Sequence, residues 1–199
     1  TSAAPGTLKS VSFVLLTISY FLQGYVGYIF VSWFYLYLVQ ERHFDLVSGA
    51  LFSALPWILS IVAIPGGGAV ADWLSRGSLG RSGARRVVAM VGLIGSGVTL
   101  SIGAHTANAH LAAVTLAMST ALILCVEGPF WATMNDLAGG RSGRGGGIMN
   151  TGCNIGGLLS PALTPAIGAA IGWEPALQIA AGLAILAGIL WIWIAPHAR

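Results

Sequence analysis

The stretch LVSGALFSALPWILSIVAIPGGGAVA runs from Leu46 to Ala71 without a single Asp, Glu, Lys or Arg, and Asp72 ends it. A helix needs about 20 apolar residues to cross the hydrocarbon core of a bilayer, so this one segment is long enough to span. It carries Pro56, Pro65 and the triplet Gly66-Gly-Gly68. Such residues break helices in water, but a membrane helix tolerates them where its neighbours satisfy the freed backbone groups. The same charge-free pattern recurs in Ser10–Gln40, Val87–Val126, Gly145–Trp173 and Pro175–Ala198. Val87–Val126 exceeds one crossing and is divided by the polar segment His105-Thr-Ala-Asn-Ala-His110. The spacing predicts an all-α membrane protein whose six transmembrane helices lie near 11–39, 47–71, 86–104, 111–134, 146–170 and 176–195. Residues 1–10 read as a linker or N-terminal cytoplasmic segment, 11–195 as the bundle and 196–199 as a cytoplasmic tail.

Composition excludes the other classes. Of the 199 residues 56% are hydrophobic and 8% charged, against about 25% charged in a soluble domain. Cys125 and Cys153 both lie in apolar stretches, which gives no disulfide framework. The four histidines form no cluster with Cys or carboxylates at ligand spacing, so no metal site is expected. With six spans the termini share a side with loops 72–85 and 135–145. That side then holds Lys9, Arg76, Arg81, Arg85, Arg86, Arg141, Arg144 and Arg199, leaving Arg42 as the exception among nine basic residues. The positive-inside rule puts both termini in the cytoplasm, with a bacterial inner membrane as the expected location. The basic residues read as topology determinants, and no nucleic-acid partner is expected. The first apolar stretch is far longer than the 7–15 residues or so of a signal-peptide core. The chain opens on Thr1 and a Ser/Ala/Pro/Gly tract, which suggests a piece of something larger.

Glycine and proline suggest helices that move. Small residues let membrane helices approach closely, and Gly152–Gly156 and Gly168–Gly172 in the fifth span have that spacing. Pro129, Pro161 and Pro165 add bends to those at Pro56 and Pro65. Bent helices around a midplane cavity are a feature of secondary transporters; plain helix packing is the other reading. Polar residues within spans are few, and each needs a partner or a function. Gln23 follows Tyr20 by about one turn in an aromatic stretch with Tyr25, Tyr28 and Trp33. Glu127 and Trp131 share a helix face, as do Asn150 and Asn154. The amides suit a hydroxylated or carboxylated ligand, or pin neighbouring helices. Glu127, alone among the carboxylates in lying well inside a span, is either a proton carrier or an acid satisfied at a cavity wall. Gly80-Arg-Ser-Gly83 and Gly140-Arg-Ser-Gly143 match the Gly-x-Ser-Gly of intramembrane serine proteases. Their serines lie on the cytoplasmic side, across the bilayer from His105 and His110, which removes the histidine base that nucleophile needs.

Several motifs in order resemble one family. Gly66-Gly-Gly68-Ala-Val-Ala-Asp72-Trp-Leu-Ser-Arg76-Gly77, followed by Arg85-Arg86, resembles the G-x-x-x-D-R-x-G-R-R loop of the major facilitator superfamily. Ser32-Trp-Phe-Tyr-Leu-Tyr-Leu38 is similar to the T-W-x-P-T-Y-L of its anion:cation symporter family, with Tyr35 in place of Pro. Gly128-Pro-Phe-Trp131-Ala is similar to that family's G-P-x-W-A, and Gly146-Gly-Ile-Met-Asn150 to its G-G-x-x-N. Trp73 stands where the loop motif has Arg. The resemblance implies the C-terminal six-helix half of a twelve-helix fold, a 3+3 inverted repeat, whose N-terminal half carries the anion-binding arginine. It implies proton-coupled symport of a small organic anion such as a sugar acid, by alternating access. No enzyme activity follows, and no cofactor beyond a proton or other coupling cation. Gln23, Tyr28, Trp131, Asn150 and Asn154 would line the substrate cavity, and Glu127 would be a candidate proton site. Asp72, with Gly68 and Arg76, would form a cytoplasmic gate, pairing with a loop arginine and the start of the fifth span. A self-contained channel or scaffold that dimerises is the alternative.

Overall fold

The computed structural model describes residues 8–194, so most of the linker and the whole 196–199 tail lie outside the described residues. Helix α1 (Val11–Ser32) starts where the Ser10 hydroxyl accepts the Phe13 N–H at 3.2 Å, a side-chain cap on a donor that it shares with the Ser10 carbonyl. It stops at Trp33, where φ reaches −124°, and α2 (Phe34–Gln40) completes the first crossing. The second crossing is α3 (Leu46–Ser75), capped by Asp45, and the third is α4 (Gly80–His105). Beyond them lie α5 (Ala109–Leu124), α6 (Glu127–Ala138), α7 (Ser142–Ile171) and α8 (Trp173–Leu190). The apolar helical run Ala109–Ile171 is 63 residues long, far beyond one crossing. At Cys125–Val126 it is only interrupted, whereas at Gly139, with φ of 56°, it doubles back and brings Ala138 against Gly145. Thus α5 and α6 together make the fourth crossing, and α7 the fifth.

Three expectations need correction. The segments 72–85 and 135–145 are not open loops. Helix α3 runs to Ser75, α4 begins at Gly80, and α6 is joined to α7 by a single 3-10 turn, Gly139–Arg141. Charge marks where water begins, and the backbone keeps its helical hydrogen bonds beyond that point. Both Gly-x-Ser-Gly sequences therefore sit at or beside helix starts. The sixth helix gives way to turns at Trp191 rather than continuing to 195. Finally, Gly152 and Gly156 face α1 as their spacing implied, but Gly172 has φ of 97° and forms the turn into α8.

Helix α1 is central, packed chiefly on α7 and α8, while α4 packs on α8 and α5. The α1–α7 contact is backbone to backbone. A methyl group at Gly24 would lie 2.3 Å from the Cys153 carbonyl oxygen, and one at Gly156 2.2 Å from that of Phe21. Close approach of this kind supplies the dispersion that holds membrane helices together. At one end of the bundle Arg42 donates to the carbonyls of Gly103, Ala104 and Thr106 and to the Tyr37 hydroxyl, closing the C-terminus of α4. Arg85 pairs with Asp136 at the other end. Proline carries no N–H, so Pro165 leaves the Pro161 carbonyl without its helical donor. The Trp33 indole, at the break between α1 and α2, fills that vacancy at 3.1 Å.

Candidate functional site around Glu127

The site begins with a second proline. Pro129 cannot donate to the Cys125 carbonyl, and the helix parts there, between α5 and α6. Gly67 of α3 closes on that freed carbonyl: a methyl group at Gly67 would sit 1.8 Å from the Cys125 oxygen. One residue on, Gly128 faces the Gly68 backbone, its would-be methyl 3.5 Å from the Gly68 Cα. The break puts Glu127 in the first turn of α6, where an acidic side chain meets the positive end of the helix dipole. Its carboxylate turns toward α1. The Tyr20 hydroxyl donates to Oε2 at 2.8 Å, and Gln23 Nε2 donates to Oε1 at 2.6 Å. Gln23 also donates to the Ile123 carbonyl at 3.2 Å, while its own Oε1 is buried without a donor among the described residues. Each carboxylate oxygen thus accepts one hydrogen bond from a buried side chain.

The other sequence candidates form an open face beside this group. Trp131 is 38% exposed, and its ring meets Tyr20 edge-on at 6.3 Å and 82°. Asn150 and Asn154 of α7 are exposed, and Asn154 Nδ2 donates to the Asn150 carbonyl. Tyr28 donates to Asn154 Oδ1 at 3.2 Å. Tyr28, Asn154, Gly157 and Pro161 line a groove of about 540 Å³ between α1 and α7. Gln23, by contrast, is 3% exposed and reaches this face only through Glu127. Asp72 and Arg76 lie in and just after the last turn of α3, both exposed. Among the described residues the Asp72 carboxylate has no ion-pair partner. The arginine that does pair on this side, Arg85, engages Asp136 instead. No group of three or more His, Cys, Asp or Glu side chains among the described residues is placed to hold a metal ion.

Three participants escaped the sequence reading. Tyr20 was visible only as a neighbour of Gln23, and its bond to a carboxylate on a distant helix leaves no local trace. Gly67 was hidden within its triplet, although Pro129 signalled a freed carbonyl somewhere. The Arg85–Asp136 pair joins helices far apart in the chain and has no spacing signature.

Known proteins agree with this architecture. The model of the Major Facilitator Superfamily matches residues 2–161. The hexuronate transporter of Bacillus subtilis is 29% identical over 187 residues, covering 92% of this chain and 44% of that protein. The Cupriavidus necator protein named probable sulfoacetate transporter SauU is 33% identical over 147 residues, covering 74% of this chain and 34% of that one. The chain thus spans less than half the length of these relatives. In fold it resembles a peptide transporter POT crystallised with sulfate, with a TM-score of 0.67 over 90% of this chain and 37% of that one, at 16% identity. A six-crossing bundle with proline-broken helices, matched along most of its length by that model, is an integral membrane protein and belongs to the Major Facilitator Superfamily.

Proposed function

We infer that the chain is the C-terminal half of a proton-coupled symporter for a small organic anion, working by alternating access against an N-terminal six-helix half. The observation that carries this reading is Glu127, a carboxylate held by two buried donors, with the 38% exposed Trp131 one turn further along α6 and the exposed Asn150 and Asn154 on the neighbouring α7. An ionisable group inside a span that adjoins an open polar face suits a proton site coupled to a ligand. The relatives named as hexuronate and sulfoacetate transporters support an anionic cargo. Since the spans of this half hold no Lys or Arg toward their middle, the neutralising cation belongs to the other half. Trp131 offers an apolar wall to the cargo, and Asn150 offers donor and acceptor groups to its hydroxyls. Asp72, unpaired among the described residues, would engage an arginine and the α7 N-terminus in another state, as a gate. Both termini face the cytoplasm of a bacterial cell.

The test is uptake of D-glucuronate by the full-length protein in proteoliposomes under an imposed pH gradient. Glu127→Gln should abolish proton-driven accumulation while leaving counterflow exchange. Asn150→Ala and Trp131→Ala should weaken binding by about 5- to 150-fold, the cost of a lost partner in a buried site. Accumulation by Glu127→Gln at the wild-type level refutes the proton assignment.

A further inference from the structure

Protonating Glu127 poses a hydrogen-bonding problem that only one neighbour can solve. In the structure both neighbours donate, Tyr20 to Oε2 and Gln23 to Oε1. When a proton binds Oε2, the carboxyl gains an O–H, and that O–H needs an acceptor. Gln23 is poorly placed to provide one. Turning its amide over would set Oε1 where Nε2 now donates to the Ile123 carbonyl, oxygen against oxygen. The Tyr20 hydroxyl has no such obstacle. It rotates about its C–O bond without moving a heavy atom, and the phenolic oxygen accepts as readily as the O–H donates.

We propose that Tyr20 is the positioning residue that reports the protonation of Glu127 to Trp131, by reversing from donor to acceptor when the carboxyl gains its proton. The inference rests on the proton-site reading of Glu127 given above. Tyr20 is 4% exposed and packed between two rings, tilted against Phe130 at 4.8 Å and edge-on to Trp131 at 6.3 Å. The Trp131 indole N–H, a donor, acts on the same Tyr20 hydroxyl, so when the phenolic hydrogen leaves Glu127 that interaction and the local field at the indole change with it. The hydroxyl is thus an element with two discrete arrangements, biased at one end by a proton and at the other by whatever displaces Trp131. The surroundings leave few competitors. Among the described residues, the titratable groups that interact with Glu127 include Tyr20 from α1 and Cys153 from α7. From α3 the facing atoms are the Gly68 backbone, against Gly128, and Arg85 of α4 is engaged with Asp136 at the far end of α6.

The experiment needs no substrate. The full-length protein, in lipid nanodiscs and labelled with fluorotryptophan, is titrated over about pH 4–9. Fluorine NMR follows the indole resonance that disappears in Trp131→Phe, and infrared difference spectra follow the carboxyl C=O band that disappears in Glu127→Gln. The expected result is a Trp131 shift with the same midpoint as the Glu127 band. In Glu127→Gln the Trp131 resonance should be fixed at one position at every pH. In Tyr20→Phe, which keeps the ring and its packing, the Glu127 band should still titrate while the Trp131 shift is lost. Gln23→Leu should preserve the shift, because Tyr20 remains. A Trp131 shift that persists in Tyr20→Phe, or that is absent in wild type while Glu127 titrates, overturns the proposal for Tyr20 alone. A Glu127 that never protonates over the range removes the proton-site reading and this inference with it. Should Tyr20→Phe not fold, a Trp131 resonance that moves with pH in Glu127→Gln refutes the proposal by itself.

Discussion

Gly67→Ala tests whether the break between α5 and α6 is built around close backbone contact. In an ordinary helix interior, replacing Gly by Ala gains about 1 kcal/mol. Here the added methyl group would lie 1.8 Å from the Cys125 carbonyl oxygen and 2.7 Å from its carbon, roughly 1.6 Å short of ordinary contact with the oxygen. No flexible side chain can yield, because both opposing atoms are backbone. Helix α3 must therefore move away from the α5–α6 junction, which also separates Gly68 from Gly128. Overpacking of this kind costs about 1–3 kcal/mol beyond the helical gain it cancels. For a bundle of this size the loss lowers the midpoint of thermal unfolding by about 2–4 °C per kcal/mol. The comparison is Gly66→Ala, one residue away, where the methyl group meets nothing within 4 Å. Melting of both variants in the same detergent, followed by a thiol-reactive dye, gives the difference directly. If Gly67→Ala melts at or above the temperature of Gly66→Ala, the freed Cys125 carbonyl does not hold α3 in place and the reasoning fails.

Two further outcomes can be checked at the ends of the helices. In a background without Cys125 and Cys153, a cysteine at Ser78 should react with an impermeant thiol reagent only after the membrane is opened. One at His43 should react from outside, and labelling of both from one side would overturn the six-crossing map. At the start of α3, hydrogen bonding from the Ser48 side chain and main chain, and from the Val47 N–H, holds the Asp45 carboxyl below its usual range. A depressed folded-state value means the charged cap contributes fully above about pH 4 and is lost as pH falls through the lower folded value. Amide exchange in the first turn of α3 should therefore accelerate in acid, and Asp45→Asn, which keeps an acceptor, should remove that pH dependence.

What the bilayer imposes is legible in the sequence, whereas what neighbouring helices impose is not. Charge-free runs such as Leu46–Ala71 locate the hydrocarbon slab, because a charge inside it is costly. They do not locate helix ends, so α3 continued past Asp72 and α4 began at Gly80 rather than near 86. Glu127 stood out because a lone carboxylate in a span demands a partner; which partner it had depended on how α1 crosses α6. Gln23 was singled out for the same reason and proved to be a ligand of Glu127. In the sequence Trp33 belongs to an aromatic stretch and to the segment similar to T-W-x-P-T-Y-L. That it marks the break between α1 and α2 follows from a carbonyl on α7, which no local pattern reveals.

The bond from Trp33 to the Pro161 carbonyl ties together two positions that lie far apart in the gene. The indole is needed because Pro165 cannot donate, so the order in which the two residues change is not symmetrical. If Pro165 is replaced first by a residue with an N–H, the helix regains its own donor and Trp33 becomes dispensable. If Trp33 is lost first, a carbonyl in the membrane is left without a partner, at a cost of about 1–3 kcal/mol. Drift through sequence space is therefore open along one route and obstructed along the other. A chain that has lost the indole while keeping the proline should carry a replacement donor elsewhere on α1 or α2.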